Sequence, residues 1–330
     1  MTASSEAAAA SPEAMRLPDF FIAGHAKSGT TALYEMLRRH PQIFMPDAKE
    51  PWFFASDMRP RFQPRIGGPS PETLEEYARL FEPAQPGQRT GEASSSYLWS
   101  RTAAAAIAQV QPDARIIAIL REPASFLRSL HLQLLQTHVE DVKSLRRALD
   151  LEDERRAGRS IPPRSHRPQL LQYSDHVRYV EQLRRYHELF GSEQVLVLIY
   201  EEFLADNEGT VKQVFRFLDV DDGFEVERLQ ANPTVQMRSQ RLDGVVHSLS
   251  TGRGGALTKA ARQTIKALTP AALRRDALRL TQRRIVQGRP EQPDELLMAE
   301  LRERFRGEVQ ALGEYLGRDM LTLWGYDRAG

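Results

Sequence analysis

The most informative residues lie in one short segment from Gly24 to Thr31, which reads GHAKSGTT. Glycine allows the backbone to turn tightly and to approach an anion, and the N–H groups at a helix start point towards that anion. Lys27 adds a positive charge, and the hydroxyls of Ser28, Thr30 and Thr31 add donors. The segment therefore predicts a loop that binds a phosphate or a sulfate, in preference to a plain turn between a strand and a helix.

The spacing of the two glycines invites comparison with nucleotide triphosphatases. Gly24 and Gly29 match the pattern Gly-x-x-x-x-Gly-Lys-Ser/Thr, but Thr30 stands where that pattern has its lysine. The displaced lysine, and the lack of an evident Mg²⁺-binding acid after a strand, disfavour an ATPase or a kinase. A nucleotide-dependent phosphotransferase is the alternative interpretation, and a catalytically inactive nucleotide-binding or scaffold protein is a third.

The loop requires a strand before it and a helix after it. The apolar run 20–23 predicts a buried strand, and the apolar residues after Thr30 keep helical spacing until Pro41, which stops a helix. Further patterns predict strands at 89–93, 115–120 and 195–200, and helices near 123–134, 177–190, 211–218 and 294–316. This alternation predicts an α/β fold of three layers, with a central parallel sheet flanked by helices.

A second stretch, taken together with the loop, resembles a known family. The predicted strand 115–120 runs into Arg121, and Ser129 follows eight residues later. GxxKSGTT resembles the 5′-phosphosulfate loop of the PAPS-dependent sulfotransferases (PAPS is 3′-phosphoadenylyl sulfate), and the arginine and serine resemble their 3′-phosphate motif. Residues 91–97 (GEASSSY) are similar to the family's GEASPSY. The resemblance is to bacterial-type members and glycan or heparan sulfate sulfotransferase domains, and it implies a P-loop-like fold.

The resemblance also implies a donor site for PAPS, with 3′,5′-ADP as product and no metal. Lys27 would bridge the leaving phosphate and the sulfonate, while Arg121 and Ser129 would hold the 3′-phosphate and thus distinguish PAPS from ATP. Arg238 lies in a stretch that resembles the loop closing over the nucleotide. The implied donor-binding residues are Lys27, Ser28, Gly29, Thr30, Thr31, Arg121, Ser129 and Arg238.

Glu50, in the stretch 49–54 (KEPWFF), is our candidate for the general base that takes a proton from the acceptor. The aromatic residues that follow it could desolvate its carboxylate. The resemblance points to the same position, because glycan-modifying members carry their catalytic glutamate before a similar aromatic run. Glu92 and His131 are alternative bases, although a buried structural role fits each of them as well.

The acceptor is expected to be a hydroxyl of a carbohydrate, a glycolipid or a small natural product. The chain departs from many glycan-modifying relatives at Ala93, Ser95 and Phe126, where those relatives carry Lys, Pro and Arg. These departures concern the contacts with the acceptor more than those with the donor.

Composition excludes several classes of protein. The chain has 330 residues, with 45 Lys and Arg against 44 Asp and Glu, and this balance argues against a nucleic-acid binder. It has no cysteine, which excludes thiol catalysis and cysteine-ligated zinc or iron–sulfur clusters. We find no run of the roughly 18 apolar residues that a membrane span needs, so no transmembrane segment is predicted.

Residues 1–16 lack the features of a secretory signal and are predicted to be a disordered leader of a cytoplasmic protein. We expect residues 17–330 to form a single domain. The charged segment 140–168 is predicted to be either a substrate-side or a surface excursion. Residues 252–289 carry ten Lys and Arg against one acid. They are predicted to be either a solvated appendage or a basic face for a peripheral membrane contact or an anionic substrate.

Overall fold

The computed structural model describes residues 15–58, 71–225 and 292–327, and the backbone of two short paired strands, Gln236–Met237 and Gln287–Gly288. These residues form two compact units. The first contains residues 15–58, 71–120 and 181–225, and the second contains residues 121–180 and 292–327. Our expectation of one domain over 17–330 stays a prediction.

A parallel sheet forms the centre of the first unit. The described strands are β1 (Phe20–Ile22), β2 (Ile43–Phe44), β3 (Arg89–Ala93), β4 (Arg115–Leu120) and β5 (Val195–Ile199). They lie in the order β2-β3-β1-β4-β5, and every pair is parallel. The predicted α/β fold with a central parallel sheet flanked by helices is confirmed. The two-residue β2 was not predicted, because it is too short to show a periodic pattern.

Strand β1 lies in the middle of the sheet and is buried on both faces. Phe20 pairs with Gly91 on one side and with Arg115 on the other. A Cβ atom at Gly91 would lie 2.1 Å from the ring of Phe20, so this close approach of β3 to β1 requires glycine. Because parallel strands end at the same edge of a sheet, the segments that follow β1 and β3 emerge side by side.

The first unit contains predicted helices and others that the sequence did not predict. The described ones are α1 (Thr30–Leu37), α2 (Leu74–Ala78), α3 (Ala103–Val110), α9 (Tyr200–Ala205) and α10 (Asn207–Phe217). The helix α8 (Tyr179–Phe190) begins in the second unit and continues into the first. The predicted helix after the loop corresponds to α1, which ends four residues before Pro41.

The second unit is helical in its described residues. Its helices are α4 (Pro123–Gln136), α5 (Leu145–Asp150), α6 (Glu152–Arg156), α7 (Tyr173–His176), α11 (Glu295–Leu316) and α12 (Met320–Leu323). The side chain of Glu122 caps α4, because its oxygens accept from the N–H groups of Ala124 (3.0 Å) and Ser125 (2.7 Å). The hydroxyl of Tyr326 donates to the same carboxylate at 2.7 Å.

The segment 140–168 differs from the predicted surface excursion. It contains α5 and α6, and the side chains of Glu140 and Arg155 are fully buried. The guanidinium donates to both oxygens of Glu140 at 2.8 Å, and the hydroxyl of Tyr173 adds a third hydrogen bond at 3.0 Å. A charged composition suggested exposure, but these charges neutralise each other inside the unit.

The basic segment 252–289 lies outside the described residues, apart from the backbone strand at 287–288. Of the predicted leader 1–16, residues 1–14 also lie outside them. Among the helices that the structure describes, none is long and apolar enough to cross a bilayer.

Candidate active site

The predicted anion-binding loop connects β1 to α1 and has an unusual backbone. Gly29 adopts a left-handed conformation (φ 87°) at the N-cap of α1, and Lys27 is also left-handed (φ 69°). A Cβ atom at Gly24 would lie 3.0 Å from Thr30 and 3.1 Å from Ile119, so a larger residue would crowd the turn. The two glycines therefore have the roles that their spacing predicts.

The start of α1 offers donors to an anion. Among the described residues, the buried hydroxyl Oγ of Ser28 has no hydrogen-bond partner, and no side chain caps the helix. The first N–H groups of a helix also lack partners within that helix. A buried orphan hydroxyl beside such N–H groups fits a ligand with several anionic oxygens, such as a phosphate or a sulfonate.

His25, in the same loop, is buried and neutral. Its Nε2 lies 2.7 Å from Oε1 of Gln182. Burial lowers the pKa of His25 to about 4, and the charge of Arg185 acts in the same direction. At neutral pH the positive charge of the loop therefore belongs to Lys27.

Glu50 is fixed to the end of β3. Its backbone N–H donates to the carbonyl of Ala93 at 3.1 Å. Its oxygen Oε1 accepts from Lys49 Nζ (2.8 Å) and from the hydroxyl of Ser95 (2.8 Å). Its oxygen Oε2 accepts from the indole N–H of Trp52 (2.7 Å) and from the backbone N–H of Ser95 (3.0 Å). The predicted base is thus held in a defined orientation.

The backbone around Glu50 is strained. Glu50 (φ 61°) and Trp52 (φ 50°) both lie in the left-handed region, which costs a residue with a side chain about 1–2 kcal/mol. The N–H of Trp52 donates to Ser94 Oγ at 3.1 Å, which helps to maintain this conformation. Such strain is typical of functional segments.

Glu92, an alternative base, is completely buried on β3. The hydroxyl of Tyr77 donates to its Oε2 at 3.1 Å. Burial raises the pKa of Glu92 to about 7, although hydrogen bonds with Ser94, Tyr97 and Tyr77 oppose that rise. Its buried Oε1 has no hydrogen-bond partner among the described residues, so Glu92 stays an alternative base.

His131, the other alternative base, is enclosed in the second unit. Its Nδ1 lies 2.9 Å from the hydroxyl of Tyr173, and its Nε2 lies 3.0 Å from the carbonyl of Lys143. Burial lowers its pKa. With both ring nitrogens engaged by protein groups, His131 has the properties of a packed core histidine.

The residues predicted to bind a 3′-phosphate also lie in the second unit. Arg121 directly follows β4 in the chain, and its carbonyl accepts from the hydroxyl of Tyr179 at 2.7 Å. Ser129 is buried within α4. Arg238 lies outside the described residues. The other predicted site residues, Lys27, Ser28, Gly29, Thr30, Thr31 and Glu50, belong to the first unit.

The contribution of Ser95 was not predicted. It provides two of the four hydrogen bonds that described residues make to the Glu50 carboxylate. A signal was present in the sequence, because Ser95 replaces the proline of GEASPSY and proline has neither a hydroxyl nor a backbone N–H. Trp52 was noted as an aromatic residue, but its role as a donor to Glu50 depends on a backbone conformation that the sequence does not reveal.

The chain is similar to known proteins of one family. Residues 18–225 match the sulfotransferase family. The chain is 26% identical over 249 residues to carbohydrate sulfotransferase 15 of Mus musculus, covering 62% of this chain and 44% of that protein. It is 26% identical over 258 residues to heparan sulfate glucosamine 3-O-sulfotransferase 3B1 of Mus musculus, covering 77% of this chain and 60% of the relative.

A solved sulfotransferase structure from Alicyclobacillus acidocaldarius is also similar, with 29% identity and a TM-score of 0.56. That match covers 78% of this chain and 99% of the other. By contrast, the chain spans 44% and 60% of the length of the two curated relatives above.

Proposed function

The chain belongs to the sulfotransferase family, and from this premise we propose that it transfers the sulfuryl group of PAPS to an acceptor hydroxyl. One observation carries the proposal. Ala93, which anchors Glu50, is paired across the sheet with Ile22, two residues before the loop begins at Gly24. The candidate base therefore lies at the end of β3, and the predicted anion-binding loop follows β1, the neighbouring strand of the same unit.

On the donor side, we assign Ser28, Gly29, Thr30 and Thr31 to the 5′ end of PAPS. Their hydroxyl and N–H donors would hold its oxygens, and Lys27 would stabilise the negative charge that grows on the leaving phosphate oxygen. The orphan hydroxyl of Ser28 supports this assignment. Arg121 and Ser129 would hold the 3′-phosphate, with Arg238 as a further contact, and the product is 3′,5′-ADP.

On the acceptor side, we assign Glu50 as the general base. The acceptor oxygen forms a new bond to sulfur while the bond from sulfur to the phosphate oxygen of PAPS breaks. The hydroxyl proton passes to Glu50, and the electron pair of the broken bond remains on 3′,5′-ADP. The rigid placement of the carboxylate by Trp52 and Ser95 supports this role.

We propose a carbohydrate hydroxyl as the acceptor, with a glycolipid or a small natural product as the other members of this class. The names of the two curated relatives, a carbohydrate and a heparan sulfate sulfotransferase, support it. We further propose that the protein acts in the cytoplasm, and that the basic segment 252–289 contacts either the substrate or a membrane surface.

The test is a calorimetric titration of the full chain with 3′,5′-ADP, AMP and ATP in excess EDTA. We expect 3′,5′-ADP to bind much more tightly than AMP, without a metal. Ser28→Ala should weaken 3′,5′-ADP binding by about 10-fold or more, because a hydrogen bond to a charged group is lost. A metal-dependent preference for ATP would contradict the proposal and favour a nucleotide-dependent phosphotransferase.

A further inference from the structure

The carboxylate of Glu50 is fully occupied by donors from described residues. Each carboxylate oxygen has two lone-pair sites. Lys49 Nζ and the Ser95 hydroxyl occupy those of Oε1, and the Trp52 indole and the Ser95 backbone N–H occupy those of Oε2. An incoming hydroxyl must therefore displace one of these donors before it can give up its proton.

The donors to Oε2 are the harder ones to displace. The N–H of Ser95 belongs to the backbone that follows β3, so it cannot rotate away. The indole of Trp52 is carried by a left-handed residue whose own N–H is held by Ser94 at 3.1 Å. Moving that ring would require the strained segment to rearrange.

The two donors to Oε1 differ in how easily they can move away from the carboxylate. The hydroxyl of Ser95 is on a short, buried side chain next to the fixed N–H. The ammonium of Lys49 is on a flexible four-carbon stem, and its side chain is 20% exposed. Lys49 can therefore withdraw into solvent without disturbing its neighbours.

Building on the proposed function, we infer that the acceptor hydroxyl displaces Lys49 and delivers its proton to Oε1 of Glu50. Trp52 and Ser95 are positioning residues that hold the carboxylate through Oε2. Without an acceptor, the ion pair keeps the base occupied.

The set of four hydrogen bonds to the Glu50 carboxylate is specific to chains that have Ser95. A proline at position 95, as in the GEASPSY pattern that the segment resembles, supplies neither donor to Glu50. The inference thus identifies Ser95 and Trp52 as the pair that orients the base in this protein.

The first experiment measures sulfuryl transfer from PAPS to methanol, a small probe hydroxyl, by the full chain. Lys49→Met should lower the KM for methanol by about two- to fivefold, because a partly exposed ion pair no longer has to open before the hydroxyl reaches Oε1 of Glu50. Lys49→Arg should restore the wild-type KM, Glu50→Gln should abolish transfer, and Arg38→Met should leave the KM unchanged.

The second experiment measures PAPS hydrolysis without an acceptor, so that water acts as the nucleophile. Lys49→Met should hydrolyse PAPS within about fivefold of the wild-type rate, since only a partly exposed ion pair is lost. Trp52→Phe should be slower by about 10- to 100-fold, because a hydrogen bond to the charged base is removed.

An unchanged KM for methanol in Lys49→Met would overturn the inference, and so would a hundredfold loss of hydrolysis in that variant, which would give the ammonium a role in the chemistry itself. Failure of the proposed function is distinguishable, because the wild-type protein then neither binds 3′,5′-ADP nor hydrolyses PAPS.

Discussion

Two ion pairs, one in each unit, differ in their burial and in the number of contacts between their charged groups. In the second unit, the guanidinium of Arg155 donates hydrogen bonds to both oxygens of Glu140, and neither side chain is exposed. In the first unit, Lys49 makes one contact with Glu50, and their side chains are 20% and 23% exposed. The buried pair of Arg155 and Glu140 cannot open without leaving an unpaired charge in the interior, whereas the partly exposed pair of Lys49 and Glu50 can. A charged pair that can separate suits a site that must accept a substrate.

The largest expected effect comes from neutralising the carboxylate of the exposed pair. Glu50→Gln should lower kcat by about 100- to 10,000-fold, because the general base is lost. Binding of 3′,5′-ADP, measured by calorimetry, should stay at the wild-type level. A variant with wild-type kcat would remove Glu50 from the reaction.

Breaking the buried pair should instead affect stability. Arg155→Met should lower the free energy of unfolding by about 3–5 kcal/mol, because Glu140 is left as an uncompensated buried charge. Urea unfolding monitored by circular dichroism measures this. The double variant Arg155→Met with Glu140→Leu should recover part of the loss, and an equal or larger loss in the double variant would contradict the explanation by charge.

Glu92 and Glu140 sharpen the comparison, since both are buried but only Glu140 has a cation. Burial opposes ionisation of Glu140, yet the hydrogen bonds and charge of Arg155 outweigh it and hold the pKa below its usual value. Its contribution to stability is therefore lost as the pH falls through the folded-state pKa. Burial raises the pKa of Glu92 to about 7. Its contribution is present below the usual glutamate pKa of about 4.3 and is lost as the pH rises towards 7.

We therefore expect opposite effects on unfolding free energy measured as a function of pH. Glu92→Gln should remove a decline in stability between about pH 4 and pH 7. The double variant Glu140→Gln with Arg155→Met should remove a decline on the acid side of that range. If Glu92→Gln leaves the slope between pH 4 and 7 unchanged, Glu92 does not retain its proton in the folded protein.

The smallest expected effect is the loss of protein stability when the partly exposed pair of Lys49 and Glu50 is broken. Lys49→Met should change the free energy of unfolding by less than about 1 kcal/mol, because partly exposed ion pairs contribute little. Urea unfolding under the conditions used for Arg155→Met gives a direct comparison. A loss as large as that of Arg155→Met would show that Lys49 is a structural residue.

The sequence was sufficient to predict the framework of the first unit. The apolar runs that became β1, β4 and β5 are buried strands, and such runs are recognisable without any partner. The loop was equally clear, because glycines such as the left-handed Gly29 indicate a tight turn. Both features depend on local chemistry.

Features that depend on distant partners were not predictable. Glu140 and Arg155 lie 15 residues apart in a charged segment, and nothing local indicates that they meet in the interior. In the same way, Ser95 lies 45 residues from Glu50 in the sequence and yet donates a hydrogen bond to its carboxylate. The sequence identified Glu50 as a candidate base but could not identify the groups that hold it.

The left-handed backbone at Glu50 and Trp52 has a consequence for engineering. Glycine at either position would relieve the backbone strain, so a screen for heat resistance would select glycine at these two positions. The same replacements would remove the carboxylate or the indole that orients it. If the proposed function holds, selection for thermal tolerance alone should therefore produce stable but inactive proteins, and a library for this protein should keep residues 50–52 fixed.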